Sequence, residues 1–316
     1  MSSQDALFGT LKIGSGGSCG AVYRGVDTQS QMRVAIKVEE VSRVSDARSL
    51  LKNEIKVYNN LIGCEGFPHV YWSGESDNYR VLVFELLGPT LYDMLRQCGG
   101  TFSLKTILML ADQLICRLQQ MHAKGHVHQD VKPENILIGT GENRNTIYLS
   151  DMGLAARRPT KEPGSPPFRI YHSLTGTTRF ASISAHKYIE QTPRDDLECL
   201  GYTLVYCIKG CLPWQNIHGR TDKLREAKIY GAKKSFGVQG LCEGLPEEFQ
   251  HYFHKLEALK FNEEPDYNGL RGLFAGLSEK ADFRADQAWD WENLSSHDVT
   301  TNRRSGGRRR RRAGQA

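Results

Sequence analysis

The spacing of apolar and polar positions divides the chain into a strand-rich beginning and a helical remainder. Short runs of β-branched and aromatic residues, separated by Gly, Asp and Ser, predict strands in the first ninety residues. The runs are Leu11–Ile13, Ala21–Tyr23, Val34–Val38, Val70–Trp72 and Val81–Phe84. One predicted helix, around Ala47–Leu61, interrupts them. This part of the chain therefore predicts a small β-rich lobe.

A helical periodicity takes over after residue 89. In Ser103–Met121 apolar residues recur at spacings of three and four, which places them on one helical face. Ser103 can cap the start of this helix, and Gly125 follows its end. Further helices are expected at Asp196–Ile208, Glu247–Leu259 and Tyr267–Leu277. The predicted fold class is α+β, with a larger helical lobe after the small one.

Composition and charge exclude several classes of protein. Of the 316 residues, 39% are apolar and 24% are charged, which is globular usage and excludes a fibrous or mainly disordered chain. The net charge of +5 comes from the end of the chain, because residues 301–316 hold seven arginines and no acids. The other 300 residues hold 34 basic and 36 acidic side chains, a net charge of −2. The folded body is therefore expected to be nearly neutral.

The end of the chain is predicted to be a separate, disordered segment. Residues 296–316 are polar and basic, and blocks of like charge repel one another. The arginines of Arg303–Arg312 either have no specific partner or bind polyanions or direct nuclear import. Residues 159–167, which contain four prolines, are expected to form a loop.

The cysteines and the N-terminus indicate where the protein resides. The eight cysteines are scattered, without Cys-x-x-Cys pairs or zinc-ligand spacing, which is typical of a reducing compartment. The first residues lack a signal-peptide pattern, and no apolar run approaches the roughly 18 residues of a membrane span. We expect a monomer without a transmembrane segment in the cytoplasm, the nucleus or both.

A glycine-rich stretch separates the first two predicted strands. Gly14–Gly20 can bring backbone amides close to phosphates, although such a stretch also suits a plain hairpin turn. A dinucleotide-binding oxidoreductase would require a helix after it, whereas Ala21–Tyr23 reads as a strand. Lys37 ends the next apolar strand, and Glu54 on the following helix can hold its ammonium group.

Two polar motifs later in the chain supply the groups that phosphoryl transfer needs. The first is His128–Asn135, and the second begins at Asp151, sixteen residues after Asn135. The reaction requires a carboxylate to orient an acceptor hydroxyl, a cation near the γ-phosphate, and oxygen ligands for Mg²⁺. Asp130, Lys132, Asn135 and Asp151 provide one group for each requirement.

With these motifs in place, the chain resembles the casein kinase I family of serine/threonine protein kinases over about residues 10–293. The stretches LLGPTL, FSLKTILMLADQ, LTGTTRFASIS and RDDLECLGYTLVYCIKGCLPWQ are similar to the family's. The family carries Ser-Ile-Asn in place of Ala-Pro-Glu, matched here by Ser182–Ser184. The resemblance implies a bilobal kinase fold, with the small lobe and hinge in residues 5–87 and the large lobe in residues 88–295.

The same resemblance assigns a role to each matching position. Asp130 corresponds to the catalytic base, Lys132 to the lysine on the γ-phosphate, and Lys37 with Glu54 to the pair that positions ATP. Asn135 and Asp151 correspond to the Mg²⁺ ligands. The remaining positions that would contact ATP are Ile13, Gly14, Ser15, Gly16, Gly17, Gly20, Val22, Ala35, Phe84 at the gatekeeper, Glu85, Leu86 and Leu87 at the hinge, and Leu137.

Substrate choice is also implied by the resemblance. Family members prefer acidic or already phosphorylated protein substrates, read by a basic cluster near the activation segment. Arg179 and Arg225 match two positions of that cluster, although Arg225 equally suits a solvated helix surface. Asp196 matches the helix carboxylate that supports the catalytic loop from beneath. The lysine at position 132 favours a serine/threonine kinase over a tyrosine kinase.

Three departures from the family pattern affect these expectations. The glycine loop is one residue longer, so the phosphate register is open between two pairs, Gly14 with Gly16 and Gly17 with Gly20. Gln129 replaces an arginine, which removes positive charge near a bound anion and predicts weaker priming. Met152 replaces a phenylalanine and suits the same packing position.

Two further questions remain open at the level of sequence. Every residue implied to contact ATP, Mg²⁺ or the acceptor hydroxyl is chemically intact, which favours an active kinase. The alternative is a pseudokinase or scaffold that binds nucleotide and partners without turnover. Cys19 in the glycine loop is either a reactive thiol or an ordinary one, and the absence of a flanking basic residue favours the latter.

Overall fold

The computed structural model describes residues 11–15, 20–41, 49–159, 168–283 and 288–293. The small lobe is built on a five-stranded antiparallel sheet with the order β1-β2-β3-β5-β4. Its strands are β1 (Leu11–Ser15), β2 (Ala21–Val26), β3 (Arg33–Glu40), β4 (Val70–Ser76) and β5 (Tyr79–Glu85). One helix, α1 (Leu50–Asn60), lies between β3 and β4 in the chain.

The large lobe is mainly helical. It contains α2 (Leu91–Gln97), α3 (Leu104–Ala123), α4 (Ile183–His186), α5 (Pro193–Lys209), α6 (Asp222–Cys242), α7 (Glu247–Glu257) and α8 (Tyr267–Lys280). Two short antiparallel pairs lie between α3 and α4: β6 (His126–Val127) with β9 (Ala156–Arg157), and β7 (Ile136–Ile138) with β8 (Ile147–Leu149). Among the described residues, no helix is both long enough and apolar enough to cross a bilayer.

Polar side chains fix where the principal helices begin. The hydroxyls of Ser49 and Ser103 accept the backbone N–H groups of Lys52 and Thr106, which caps α1 and α3. Thr192 and Asp195 form a reciprocal capping box at the start of α5. These caps stabilise helices whose apolar faces form one large core.

The structure confirms the predicted α+β architecture and most predicted elements, with several differences in detail. Helix α1 begins at Leu50, after its cap, and Ala47 lies outside the described residues. Strand β1 continues to Ser15, so Gly14 and Ser15 belong to a strand and not to the predicted glycine turn. They pair with Val22 and Ala21 of β2.

Three helices of the large lobe were not anticipated from the sequence: α2, α4 and α6. Helix α6 is interrupted at Gly237, where φ is 56° and ψ is −168°. Residues 160–167 of the predicted 159–167 loop lie outside the described residues, as does the arginine-rich tail, including Arg303–Arg312.

Candidate functional site

A lysine and two carboxylates join the two lobes at the cleft between them. Lys37 lies in the middle of β3, and its Nζ donates to Oε2 of Glu54 at 2.6 Å and to Oδ1 of Asp151 at 2.9 Å. Lys37 and Glu54 are buried, whereas the side chain of Asp151 is 31% exposed. The predicted pairing of Lys37 with Glu54 is confirmed, and the same ammonium also contacts the predicted metal ligand.

Burial and charge act in opposite directions on these two carboxylates. Burial raises the pKa of Glu54, and the favourable charge of Lys37 offsets only part of this effect. Burial also acts to raise the pKa of Asp151, but the charge and hydrogen bond of Lys37 outweigh it, so this pKa is lowered. Asp151 is therefore the carboxylate that stays ionised most readily, as a cation ligand must.

The carboxylate of Asp130 is held by four hydrogen bonds. Its Oδ1 accepts the N–H and the hydroxyl of Thr177 at 2.8 and 2.7 Å. Its Oδ2 accepts Nζ of Lys132 at 2.6 Å and Nδ2 of Asn135 at 3.2 Å. Nζ of Lys132 also donates to Oγ1 of Thr177 at 2.9 Å. The predicted residues Asp130, Lys132 and Asn135 therefore form one cluster, and Thr177 completes it.

The donor set of the cleft fits Mg²⁺. The amide nitrogen of Asn135 donates to the backbone oxygen of Asp130 at 2.9 Å, which leaves its Oδ1 as a ligand atom. Asp151 contributes a carboxylate, and two hard oxygen ligands suit an ion that completes its shell with phosphates and water. Within the described ranges, no group of three or more His, Cys, Asp or Glu side chains forms a protein-only metal site.

A buried carboxylate, Asp196, holds the loop that leads into Asp130, as predicted. Its Oδ2 accepts the N–H of His128 at 2.6 Å, and its Oδ1 accepts the N–H of Gln129 at 2.8 Å. Nε2 of His122 lies 2.8 Å from Oδ2, and Nδ1 of the same ring lies 2.8 Å from the hydroxyl of Tyr267. These contacts hold the loop from α3, α5 and α8, in a conformation where Gln129 has a φ of 69°.

The turn that follows Asp151 is tied to helix α1. Nδ2 of Asn53 donates to the backbone oxygens of Met152, Gly153 and Ala155 at 3.3, 3.1 and 2.7 Å. The N–H of Asp151 donates to the hydroxyl of Tyr58 at 3.2 Å. Met152 is fully buried in the main core, in agreement with its expected packing role. The position of Asp151 therefore depends on α1.

Several predicted ATP-contacting residues share one face of the small-lobe sheet. Val22 pairs with Lys37, and Ala35 pairs with Phe84, so these four side chains lie on the same side of neighbouring strands. Glu85 ends β5, and Leu86 and Leu87 connect it to the large lobe, where Leu137 lies in β7. The backbone of Gly88 joins that strand by donating to the oxygen of Ile138 at 2.8 Å.

The glycine loop is only partly described. Ile13, Gly14 and Ser15 lie in β1, whereas Gly16, Gly17 and Cys19 lie outside the described residues. Gly20 has a φ of 98°, and a Cβ there would lie 2.2 Å from the backbone oxygen of Val38. Gly20 is therefore required by the approach of β3, whichever glycine pair sets the phosphate register.

Arg179 and Arg225 lie together in a small depression. Both line a cavity of about 260 Å³, together with Glu134, Gly176, Thr178 and Phe180. The guanidinium of Arg179 packs over the rings of Phe180 and Tyr206, with its Cζ 5.8 and 5.7 Å from their centroids. The structure thus brings together the two arginines that the sequence placed 46 residues apart.

Functional contacts that the sequence reasoning missed come from Thr177, Asn53 and His122. Thr177 lies within the stretch LTGTTRFASIS that carried the family resemblance, so its neighbourhood was identifiable but its partner was not. Asn53 precedes Glu54 directly, and His122 is near the end of α3. No local pattern distinguishes their side chains from ordinary polar helix residues.

A comparison with known protein families agrees with this geometry. The family described as protein kinase domain matches residues 10–254, more than three quarters of the chain. The match contains the glycine-rich strand pair, the Lys37–Glu54 ion pair, the Asp130 cluster and Asp151. The chain therefore belongs to the protein kinase family.

Proposed function

We propose that this protein is an active serine/threonine kinase similar to the casein kinase I family, which phosphorylates acidic or previously phosphorylated protein substrates. The observation that carries this proposal is the Asp130 cluster, because its carboxylate is oriented by Lys132, Asn135 and Thr177. An intact cluster beside the Lys37, Glu54 and Asp151 contacts favours turnover over a scaffold function.

The reaction follows from the chemistry of these groups. Asp130 accepts the proton of a substrate Ser or Thr hydroxyl, whose oxygen forms a bond to the γ-phosphorus of ATP. The bond from that phosphorus to the β–γ bridging oxygen breaks, and ADP leaves with the bond's electron pair. Lys37 and Lys132 stabilise phosphate charge. Asn135 and Asp151 would hold Mg²⁺, which would supply positive charge to the phosphates.

Thr177 supports serine/threonine specificity in this proposal. Its hydroxyl contacts both the carboxylate of Asp130 and the ammonium of Lys132. These contacts narrow the space beside Asp130, which suits the short side chain of a substrate Ser or Thr. Arg179 and Arg225 supply positive charge beside this acceptor position, because they line the same small cavity as Thr177. A phosphate or carboxylate on the substrate, displaced from the target hydroxyl, matches that charge.

A transfer assay tests the catalytic part of the proposal. We expect the purified protein with Mg²⁺ and radiolabelled ATP to phosphorylate a serine in an acidic, phosphoserine-containing peptide. Asp130→Asn should lower the rate at least about a hundredfold, as expected for loss of a general base. Equal incorporation by the wild-type protein and this variant would show that the signal is a contaminant and would favour the pseudokinase alternative.

The substrate preference is tested separately. We expect Arg179→Gln to raise the KM for the phosphoserine peptide about tenfold and to leave the KM of the matching unphosphorylated peptide unchanged, because only the former requires a cation. Arg169→Gln, which alters an exposed arginine ten residues before Arg179, is the matched control. Identical KM values for both peptides in the wild-type protein would contradict a preference for primed substrates.

A further inference from the structure

A lysine is buried beneath the segment that carries Arg179. Lys233 lies on α6, retains only 4% exposure, and lines a cavity of about 460 Å³ bounded by α4, α5, α6 and α7. Burial of an ammonium group is unfavourable unless other groups compensate it. The contacts of Lys233 therefore indicate what this lysine does for the protein.

The ammonium of Lys233 points at the substrate-side segment, residues 177–181. Its Nζ donates to the backbone oxygen of Ala181 and, at 3.4 Å, to that of Thr178. The indole N–H of Trp214 donates to the backbone oxygen of Arg179 at 2.8 Å. Three carbonyls in a run of four residues thus accept hydrogen bonds from two buried side chains. Thr177, which comes directly before this run in the chain, donates its backbone N–H to the carboxylate of Asp130.

The surroundings of Lys233 offset part of the cost of its burial, which lowers the pKa of this lysine to about 7. Its Nζ lies 4.6 Å from the ring centroid of Tyr202 and 5.1 Å from that of Trp214, within the range of cation–π attraction. The carboxylate of Glu198, which accepts from the hydroxyl of Tyr202 at 2.7 Å, adds a favourable charge. Lys233 is thus held between α5 and the substrate-side segment by charge, aromatic and hydrogen-bond contacts.

We propose that Lys233 is a positioning residue for substrate recognition: together with Trp214 it holds the backbone of residues 178–181, and so orients Arg179 toward an anionic group on the substrate. This inference rests on the proposed kinase function. On this view, the affinity for an anionic group on the substrate depends on Lys233, a side chain that does not itself contact the substrate. It also explains why a cation is retained in the core at the cost of desolvation.

Kinetics with a pair of peptides, phosphorylated and unphosphorylated at the same priming serine, test this role. Lys233→Met keeps the volume of the side chain and removes its donors. We expect the KM for the primed peptide to rise about tenfold, the size expected for loss of hydrogen bonds from a charged group. The kcat and the KM of the unprimed peptide should change less than about twofold. Lys234→Met, at the adjacent exposed lysine, is the matched control.

Two additions keep the result decisive. Lys233→Met leaves Glu198 buried without its cation, so the double variant Lys233→Met with Glu198→Gln is measured as well. Fluorescence anisotropy of the labelled primed peptide reports binding without turnover.

A tenfold weaker affinity for this peptide in both Lys233 variants, but not in Lys234→Met, supports the inference. Equal affinity of the wild-type protein and the double variant overturns it. Failure of phosphate transfer by the wild-type protein contradicts only the proposed function.

Discussion

Asp196 is a charged side chain without access to solvent, and its hydrogen bonds account for its presence in the core. Burial alone acts to raise its pKa, but the hydrogen bond and charge of His122, the charge of His128 and the N–H of His128 outweigh burial. The pKa of Asp196 is therefore lowered from its ordinary value of 3.8. A carboxylate with a lowered pKa contributes stability above its unfolded-state pKa and loses it as the pH falls through the folded-state pKa.

We therefore expect Asp196→Asn to lower the free energy of unfolding by about 3 kcal/mol at pH 7, as for other broken buried charge pairs. The deficit should narrow as the pH falls from about 4 toward the lowered folded-state pKa, because the unfolded chain then gains a proton at Asp196 before the folded protein does. Urea unfolding of both proteins at several pH values measures this. Asp112→Asn, which removes an exposed carboxylate 2.7 Å from Arg271, should change stability by less than about 1 kcal/mol. A deficit independent of pH would contradict the assigned role.

Individual residues differed in how well the sequence predicted them. The predicted cleft residues Lys37, Glu54 and Asp130 follow from short motifs, because motif spacing is set by local strand and loop geometry. The partner of Asp130 was not predictable, because Thr177 is 47 positions away and reaches it through the fold. The role of Lys233 was even less predictable, since nothing in the sequence distinguishes this buried lysine from the exposed Lys234 beside it.

Helix α6 shows what limits prediction for a whole element. Its apolar residues do not gather on one helical face, and it contains glycines, so no amphipathic helical pattern was visible. In contrast, α3 and α5 bury broad apolar faces and were predicted closely. Strands β2, β3 and β5 were predicted for the same reason, because their short β-branched runs match buried positions of the sheet.

The kink at Gly237 is a conformational requirement of α6. A Cβ at this position would meet no atom within 4 Å, so space is not the constraint. The constraint is the backbone, since a φ of 56° with a ψ of −168° strains any residue with a side chain. We expect Gly237→Ala to lower the free energy of unfolding by about 1–3 kcal/mol, measured by denaturant titration.

The same helix provides the control for this variant. Gly231 also has open space around its Cβ position but lies in regular helix, so Gly231→Ala should stabilise the protein by up to about 1 kcal/mol. Opposite signs for the two substitutions would isolate the backbone effect. Equal destabilisation by both would show that the surface of α6, and not its kink, controls the response.

The whole molecule extends beyond the part that matches the protein kinase domain. The match ends at residue 254, yet α8 packs against α3 and buries Leu270, Phe274 and Leu277. Past α8, Trp289 is almost completely buried. The carboxylate of Asp290 accepts the N–H and the hydroxyl of Ser103, at 2.6 and 2.7 Å, where α3 begins. Residues 255–283 and 288–293 thus complete the large lobe.

We expect a chain shortened to residues 1–293 to unfold cooperatively and a chain shortened to residues 1–254 to lack a cooperative transition. Each buried Leu, Phe or Trp side chain contributes roughly 1.5–3 kcal/mol, and several of them together approach the 5–15 kcal/mol of a typical domain. Thermal melts followed by circular dichroism measure this. A cooperative melt of residues 1–254, together with phosphate transfer, would show that the last helix is dispensable.

The amide of Asn53 has a consequence for small-molecule inhibitors of this kinase. Its contacts with the oxygens of Met152, Gly153 and Ala155 tie α1 to the turn that follows Asp151. A compound that fills the nucleotide cleft and leaves α1 in place keeps these hydrogen bonds. A compound that requires α1 to swing outward must replace the donor for three carbonyls. We therefore expect compounds that leave α1 in place to bind this protein more tightly than compounds that displace α1.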